Sequence, residues 1–132
     1  MTHVLDASAL LAYLEKQRGY EHVQRLLTDA AGRGPALLLS TVNWGEVFYV
    51  TYRMYGAVRA DDLAHVLETF PLEVVPVHLE LAKQAALLKA LHGLPYADCF
   101  AAALATTRKA TLVTGDRDFK ALEGELKVLW LS

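Results

Sequence analysis

Thr111-Leu112-Val113-Thr114-Gly115-Asp116-Arg117-Asp118-Phe119 joins a short apolar run to a turn carrying two carboxylates, a hydroxyl and an arginine. An apolar run with no polar face reads as a strand covered on both sides, as strands are in a parallel sheet between helices. The Gly-Asp turn ends it. Three more acids share this setting. Asp6 directly follows the strand-like residues 3–5, Glu46 lies just past the strand-like stretch 36–40, and Asp98 falls in the first turn of an alanine-rich helical stretch. Sites in parallel α/β sheets form beyond the carboxyl ends of the strands, so acids far apart in sequence can converge on one rim. Converging carboxylates resist joint ionisation, and a hard divalent cation removes that cost.

The rest of the chain alternates in the same way. Residues 7–15, 20–31, 43–55, 60–69, 79–91 and 96–109 read as helices, and residues 3–5, 36–40, 111–113 and 127–131 as strands. Residues 73–75, between Pro71 and Pro76, read as a short strand or an extended link. Val23, Leu26, Leu27 and Ala30 share one helix face, Gly32-Arg33-Gly34-Pro35 is a stop signal, and Gly56 ends the third helix. With no internal repeat or linker, the pattern predicts one α/β domain over residues 1–132, its parallel sheet of about four or five strands sandwiched between helices.

Composition sets limits on function. A chain of 132 residues buries about two-thirds of its unfolded surface and needs no staple. Its hydrophobic content is 54% and its mean hydropathy +0.23, yet no run approaches the ~18–20 apolar residues of a membrane span. His3-Val4-Leu5 opens the chain as a strand, without the basic and cleavable regions of an export signal, so a cytoplasmic address is expected. The single cysteine, Cys99, sits among Ala and Phe and reads as a small buried side chain. A net charge of −2 and a pI near 6.2 give no overall attraction to nucleic acid. A protein acting on RNA with this balance must concentrate its 13 basic residues locally or neutralise acids with cations.

Each acid also has a plain structural explanation. Asp6 can cap the helix that follows it, while Ser8 adds a hydroxyl near the same strand end. Asn43-Trp44-Gly45-Glu46 fits a capping box with Asn43 as the cap. Asp98 follows the helix-starting Pro95 and is favoured there by the helix dipole, but its neighbours Ala97, Cys99 and Phe100 are apolar, so the carboxylate needs a partner. Arg117 can pair with Asp116 and Asp118 or reach a phosphate. The five histidines show no ligand-type spacing. Trp44, Phe48, Tyr52 and Tyr55 lie along one side of a helix, as core or as a subunit or partner interface.

At these residues the chain resembles the PIN-domain ribonucleases, and among them the VapC-type toxins of prokaryotic toxin–antitoxin pairs. The carriers are Val4-Leu5-Asp6-Ala7-Ser8, Ser40-Thr41 through Glu46, Tyr96-Ala97-Asp98-Cys99-Phe100-Ala101-Ala102, and Leu112 through Phe119. The resemblance spans essentially the whole chain. It implies a PIN-like parallel sheet between helices and an acidic metal site at Asp6, Glu46, Asp98 and Asp116. Asp118 would be an accessory acid, with Ser8 and Thr114 as supporting hydroxyls. It further implies Mg²⁺ dependence with Mn²⁺ able to substitute, homodimerisation, an RNA substrate and a cognate antitoxin. Asp6 and Asp98 are then the expected direct ligands, with Glu46 and Asp116 orienting waters or completing a second ion site. Water as the nucleophile leaves a 5′ phosphate and a 3′ hydroxyl. Arg18, Arg53, Arg117 and Lys120 are candidates for contacts to the RNA backbone. The departures are Gly45 before Glu46 and the absence of a basic balance.

Two alternatives share these residues. One is a degenerate PIN domain that binds RNA without cutting it. The other is a haloacid-dehalogenase-like phosphatase with Asp6 as nucleophile, although Ser8 stands where its second acid belongs.

Overall fold

In the computed structural model, which describes residues 1–131, the strands are β1 (His3–Leu5), β2 (Leu37–Ser40), β3 (Leu72–Val75), β4 (Thr111–Thr114) and β5 (Val128–Trp130). The helices are α1 (Ala7–Leu14), α2 (Tyr20–Gly32), α3 (Thr41–Tyr55), α4 (Ala57–Leu67), α5 (Leu79–His92) and α6 (Tyr96–Thr107), with a 3₁₀ helix at Arg117–Leu122. The five strands form one sheet in the order β3-β2-β1-β4-β5, and every neighbouring pair is parallel.

Successive strand residues point to opposite faces, and here both faces are covered. Val4, Leu38 and Leu112 pack with Ala85 of α5 and Phe100, Ala101 and Leu104 of α6. Their neighbours Leu5, Leu37, Leu39 and Val113 pack on the other side with Leu10, Val23, Leu27 and Val47 of α1, α2 and α3. This is why the strands read as unbroken apolar runs instead of alternating ones. Helix α6 is buried continuously from Asp98 to Ala105, and its alanines let it lie close to the sheet. Asp98 is therefore carried into the interior on an apolar helix. No helix among the described residues is long and apolar enough to cross a membrane.

The order of strands sets the site. From β1 the chain steps outward to β2 and β3, then returns to place β4 on the other side of β1. The switch between β1 and β4 opens a crevice at their carboxyl ends. Asp6 follows β1, and Thr114 ends β4. The Asp6 N–H donates to the Val113 carbonyl at 3.3 Å, holding the two strand ends together.

The structure corrects the expected element ends in several places. Helix α3 starts at Thr41, and its cap is Ser40, whose Oγ accepts the Asn43 N–H at 3.0 Å. The capping box expected at Asn43 does not form, because the last residue of β2 already caps the helix and Asn43 is fully buried inside it. Helix α4 begins at Ala57 instead of residue 60, since Gly56 at φ +92° turns the chain between α3 and α4 in one residue. Leu72–Val75 is a true edge strand, paired with every residue of β2. The acidic turn winds into the 3₁₀ helix, which Phe119 and Leu122 anchor in the core. Of the aromatic row on α3, Trp44 stacks on Phe48 with ring centroids 5.5 Å apart. Tyr52 and Tyr55 are 50% and 41% exposed, so the row leaves the core partway along the helix.

Candidate metal centre

Asp6 is the N-cap of α1, and its carboxylate is held by three donors. The Ala9 N–H donates to Oδ1 at 2.8 Å, the Ser8 hydroxyl reaches Oδ1 at 2.8 Å and Oδ2 at 3.0 Å, and the Thr114 hydroxyl donates to Oδ2 at 2.5 Å. Ser8 Oγ in turn accepts the Gly115 N–H at 3.1 Å, and Thr114 Oγ accepts the Asp116 N–H at 2.9 Å. The two hydroxyls thus tie the start of α1 to the loop after β4. Burial pushes the Asp6 carboxyl up to about 6; the three hydrogen bonds pull it back, and the charge of Asp116 adds to the rise.

Asp98 is buried in the first turn of α6, and its Oδ2 has no hydrogen-bond partner among the described residues. Burial first, then the negative charges of Asp116, Asp6, Glu46 and Asp118, push its carboxyl up to about 7. The carboxylate oxygens of Asp98, Asp116 and Asp118 all lie within 4.8 Å of one another. Asp116 caps the 3₁₀ helix by accepting the Asp118 N–H on Oδ1 at 2.9 Å. Asp6 adjoins this trio closely enough to raise Asp98 but stands outside it, whereas the accessory Asp118 stands within it.

Glu46, in the second turn of α3, is half-buried. Its carboxyl is raised by burial and by the charge of Asp116, and is pulled back by the Asn43 amide, which donates to Oε1 at 2.8 Å. Asn43 escaped the sequence reading as a site residue. It receives the Ser40 hydroxyl at 2.8 Å and also donates to the Ala97 carbonyl at 3.2 Å, one residue before Asp98. The signal was present in the three-residue steps Ser40, Asn43 and Glu46, which put all three on one helical face.

Arg117 is exposed on the 3₁₀ helix and forms no salt bridge among the described residues, so of its two readings the pairing with Asp116 and Asp118 is not made. Asp116 uses its carboxylate as a cap instead. The donor set of the centre is all carboxylate, which suits Mg²⁺, Mn²⁺ or Ca²⁺ and not a soft metal. The buried, unpartnered Oδ2 of Asp98 is the clearest opening for such an ion, because a buried acceptor without a partner costs about 1–3 kcal/mol.

The PIN domain family profile matches residues 3–125. No curated protein matches the sequence. Among solved structures, a toxin–antitoxin complex from Klebsiella pneumoniae is similar, with a TM-score of 0.75 at 15% identity over 98% of each chain. VapC20 of Mycobacterium tuberculosis, described as a sarcin-ricin-loop-cleaving toxin, aligns with a TM-score of 0.71 at 22% identity, over 90% of this chain and 93% of that one. VapBC-5, a toxin–antitoxin system from the same organism, gives 0.61 at 26% identity, over 98% and 96%.

Proposed function

The chain belongs to the PIN domain family, and from that premise we propose that it is a metal-dependent endoribonuclease, the toxin of a toxin–antitoxin pair. The observation that carries the proposal is the Asp98-Asp116-Asp118 trio with an unpartnered buried oxygen, at the switch point of the sheet. Asp98, Asp116 and Asp118 would hold Mg²⁺, with Mn²⁺ able to substitute, and Asp6 and Glu46 would complete the shell directly or through waters. A divalent cation there makes water easier to deprotonate and stabilises negative charge on phosphodiester oxygens.

The chain's own groups do the rest. Ser8, Thr114 and the Ala9 N–H fix Asp6 in one orientation. Asn43 occupies Oε1 of Glu46, which leaves Oε2 to accept the proton of the attacking water, and the raised affinity of Glu46 for protons suits a general base. Attack by water breaks the bond to the 3′ oxygen, giving a 5′ phosphate and a 3′ hydroxyl. An aspartyl-phosphate mechanism asks Asp6 to attack instead, and a carboxylate 2% exposed and held by three donors is a poor nucleophile.

The partners proposed are single-stranded or looped RNA, a cognate antitoxin that restrains the enzyme in the cytoplasm, and a second copy of the chain docked through the exposed Tyr49 and Tyr52 side of α3. The deciding experiment incubates the purified protein with total RNA, with Mn²⁺ or with chelator, and maps fragment ends. Fragments with 5′ phosphates that appear only with metal, and are absent for Asp6→Asn and Asp98→Asn, support the reading. Equal cleavage by those variants overturns it, and RNA binding without any cleavage identifies a non-catalytic PIN domain.

A further inference from the structure

A cavity of about 430 Å³ opens beside the acid trio, between Ser8, Gln17, Arg18, Gly115, Asp116 and Leu131. That volume lies in the ~300–1,000 Å³ range of small-ligand sites. It brings together an acid of the candidate metal centre and the exposed Arg18. Arg108 pairs with Glu73, while Arg53 and Arg59 lie over the rings of Tyr49 and Tyr55. Arg18, like Arg117, is exposed and makes no salt bridge or side-chain hydrogen bond among the described residues, but of the two only Arg18 lines this cavity.

The turn that presents Arg18 is fixed by its backbone. Helix α1 ends with the Gln17 N–H on the Ala12 carbonyl at 2.8 Å and the Lys16 N–H on the Tyr13 carbonyl at 3.3 Å. This is a Schellman ending, with Lys16 at φ 50° in the left-handed position that usually holds glycine. Gly19, at φ 86°, then packs against Leu131 so tightly that a Cβ there would lie 2.1 Å from the Leu131 carbonyl oxygen. Gln17 and Arg18 are therefore held at the rim of the cavity from both sides.

Resting on the endoribonuclease reading, we propose that this cavity seats the nucleotide adjacent to the cut phosphodiester of single-stranded RNA. Arg18 pairs with that nucleotide's phosphate, and the Gln17 amide hydrogen-bonds its base edge, so the two residues set which sequence is cut. A metal ion sees only phosphate geometry, so discrimination among bases has to come from groups of this kind. A volume of about 430 Å³ suits a single unstacked nucleotide, and unstacked bases are the ones proteins read in RNA. An arginine here also offsets the repulsion that the acids exert on an incoming phosphate.

The test is steady-state cleavage of a labelled mixed-sequence single-stranded RNA in Mn²⁺ across a salt series, with cut sites mapped. Arg18→Ala should raise KM about tenfold, as expected for losing one charge-assisted hydrogen bond, with kcat falling less than KM rises. It should also make the salt dependence of log kcat/KM shallower by about 0.7, the value for one phosphate contact on a single strand. Arg18→Lys should restore that slope. Gln17→Ala should keep the slope and change the base preference at the cut. Wild-type KM and slope in Arg18→Ala would overturn the proposal. If the wild-type protein cuts no RNA, the endoribonuclease reading fails separately. Fluorescence anisotropy with the same RNA then judges the cavity, which is refuted if Arg18→Ala binds as tightly as the wild type with the same slope.

Discussion

Without a cation, the buried Oδ2 of Asp98 has no donor among the described residues to stabilise a negative charge, and four other acids press on it. The pH dependence of stability follows. The ordinary value for an aspartate is 3.8, while the folded protein holds Asp98 near 7 and Asp6 near 6. Between those limits the folded state binds more protons than the unfolded one, so stability falls as pH rises. The contribution from protonated Asp98 and Asp6 is full below about pH 4 and is lost by about pH 7. The melting temperature of metal-free protein, followed by calorimetry in chelator, should therefore decline across about pH 5–7 on account of these two acids, and added Mn²⁺ should reverse the decline. Asp98→Asn should flatten the profile and raise the metal-free melting temperature at neutral pH by about 2–5 °C, on the order of 1 kcal/mol. A metal-free profile that climbs over this window contradicts the assignment.

Asn43 gives a second test at the same scale. It orients Glu46 without being a ligand candidate itself, and groups in that position typically carry about 10–100-fold in metal affinity or activity. Asn43→Ala should lower metal-dependent cleavage by that factor, measured at saturating Mn²⁺. The acids were legible in the sequence because each stands at the end of an apolar run. Asn43 was not, because a capping residue and a buried hydrogen-bonding residue look alike until the true cap, Ser40, is seen to satisfy the helix start.

Two helices end in the same way, α1 with Lys16 at φ 50° and α6 with Lys109 at φ 51°, each lysine in the left-handed position past the helix. Glycine adopts that conformation without a Cβ penalty. Lys16→Gly and Lys109→Gly should each stabilise the protein by about 0.5–1 kcal/mol, read from denaturant midpoints, after allowing for the greater freedom of glycine in the unfolded chain. Gly19→Ala should do the opposite, costing about 2 kcal/mol or more, since the methyl group meets the Leu131 carbonyl in a conformation already unfavourable for alanine. Element identity was readable from apolar periodicity, whereas several ends were not. The start of α4 depends on a one-residue turn at Gly56, and the start of α3 on a strand residue doubling as cap, and neither changes the periodic pattern.

At the scale of the whole molecule, the strand order β3-β2-β1-β4-β5 decides which acids meet. The alternation of strands and helices predicted a parallel sheet, and the sheet is parallel throughout. What local pattern could not supply was the return of the chain to the far side of β1. That return brings Asp116 and Asp118 beside Asp98, leaving Asp6 alongside, anchored by hydroxyls. The same arrangement leaves α3 with Tyr49 and Tyr52 exposed on one face. If that face joins two copies, Tyr52→Glu should shift the protein toward monomer in sedimentation while leaving its melting profile largely unchanged.

Everything chemical in this account depends on the acids holding a divalent ion. Calorimetric titration of Mn²⁺ into metal-free protein at neutral pH, repeated in buffers of different ionisation enthalpy, tests it most directly. Saturable binding accompanied by proton release is predicted, because Asp98 must lose its proton to the buffer to bind the ion, and both signals should vanish in Asp98→Asn. Heats showing no saturable binding, or binding equally tight in Asp98→Asn with no proton release, would contradict it.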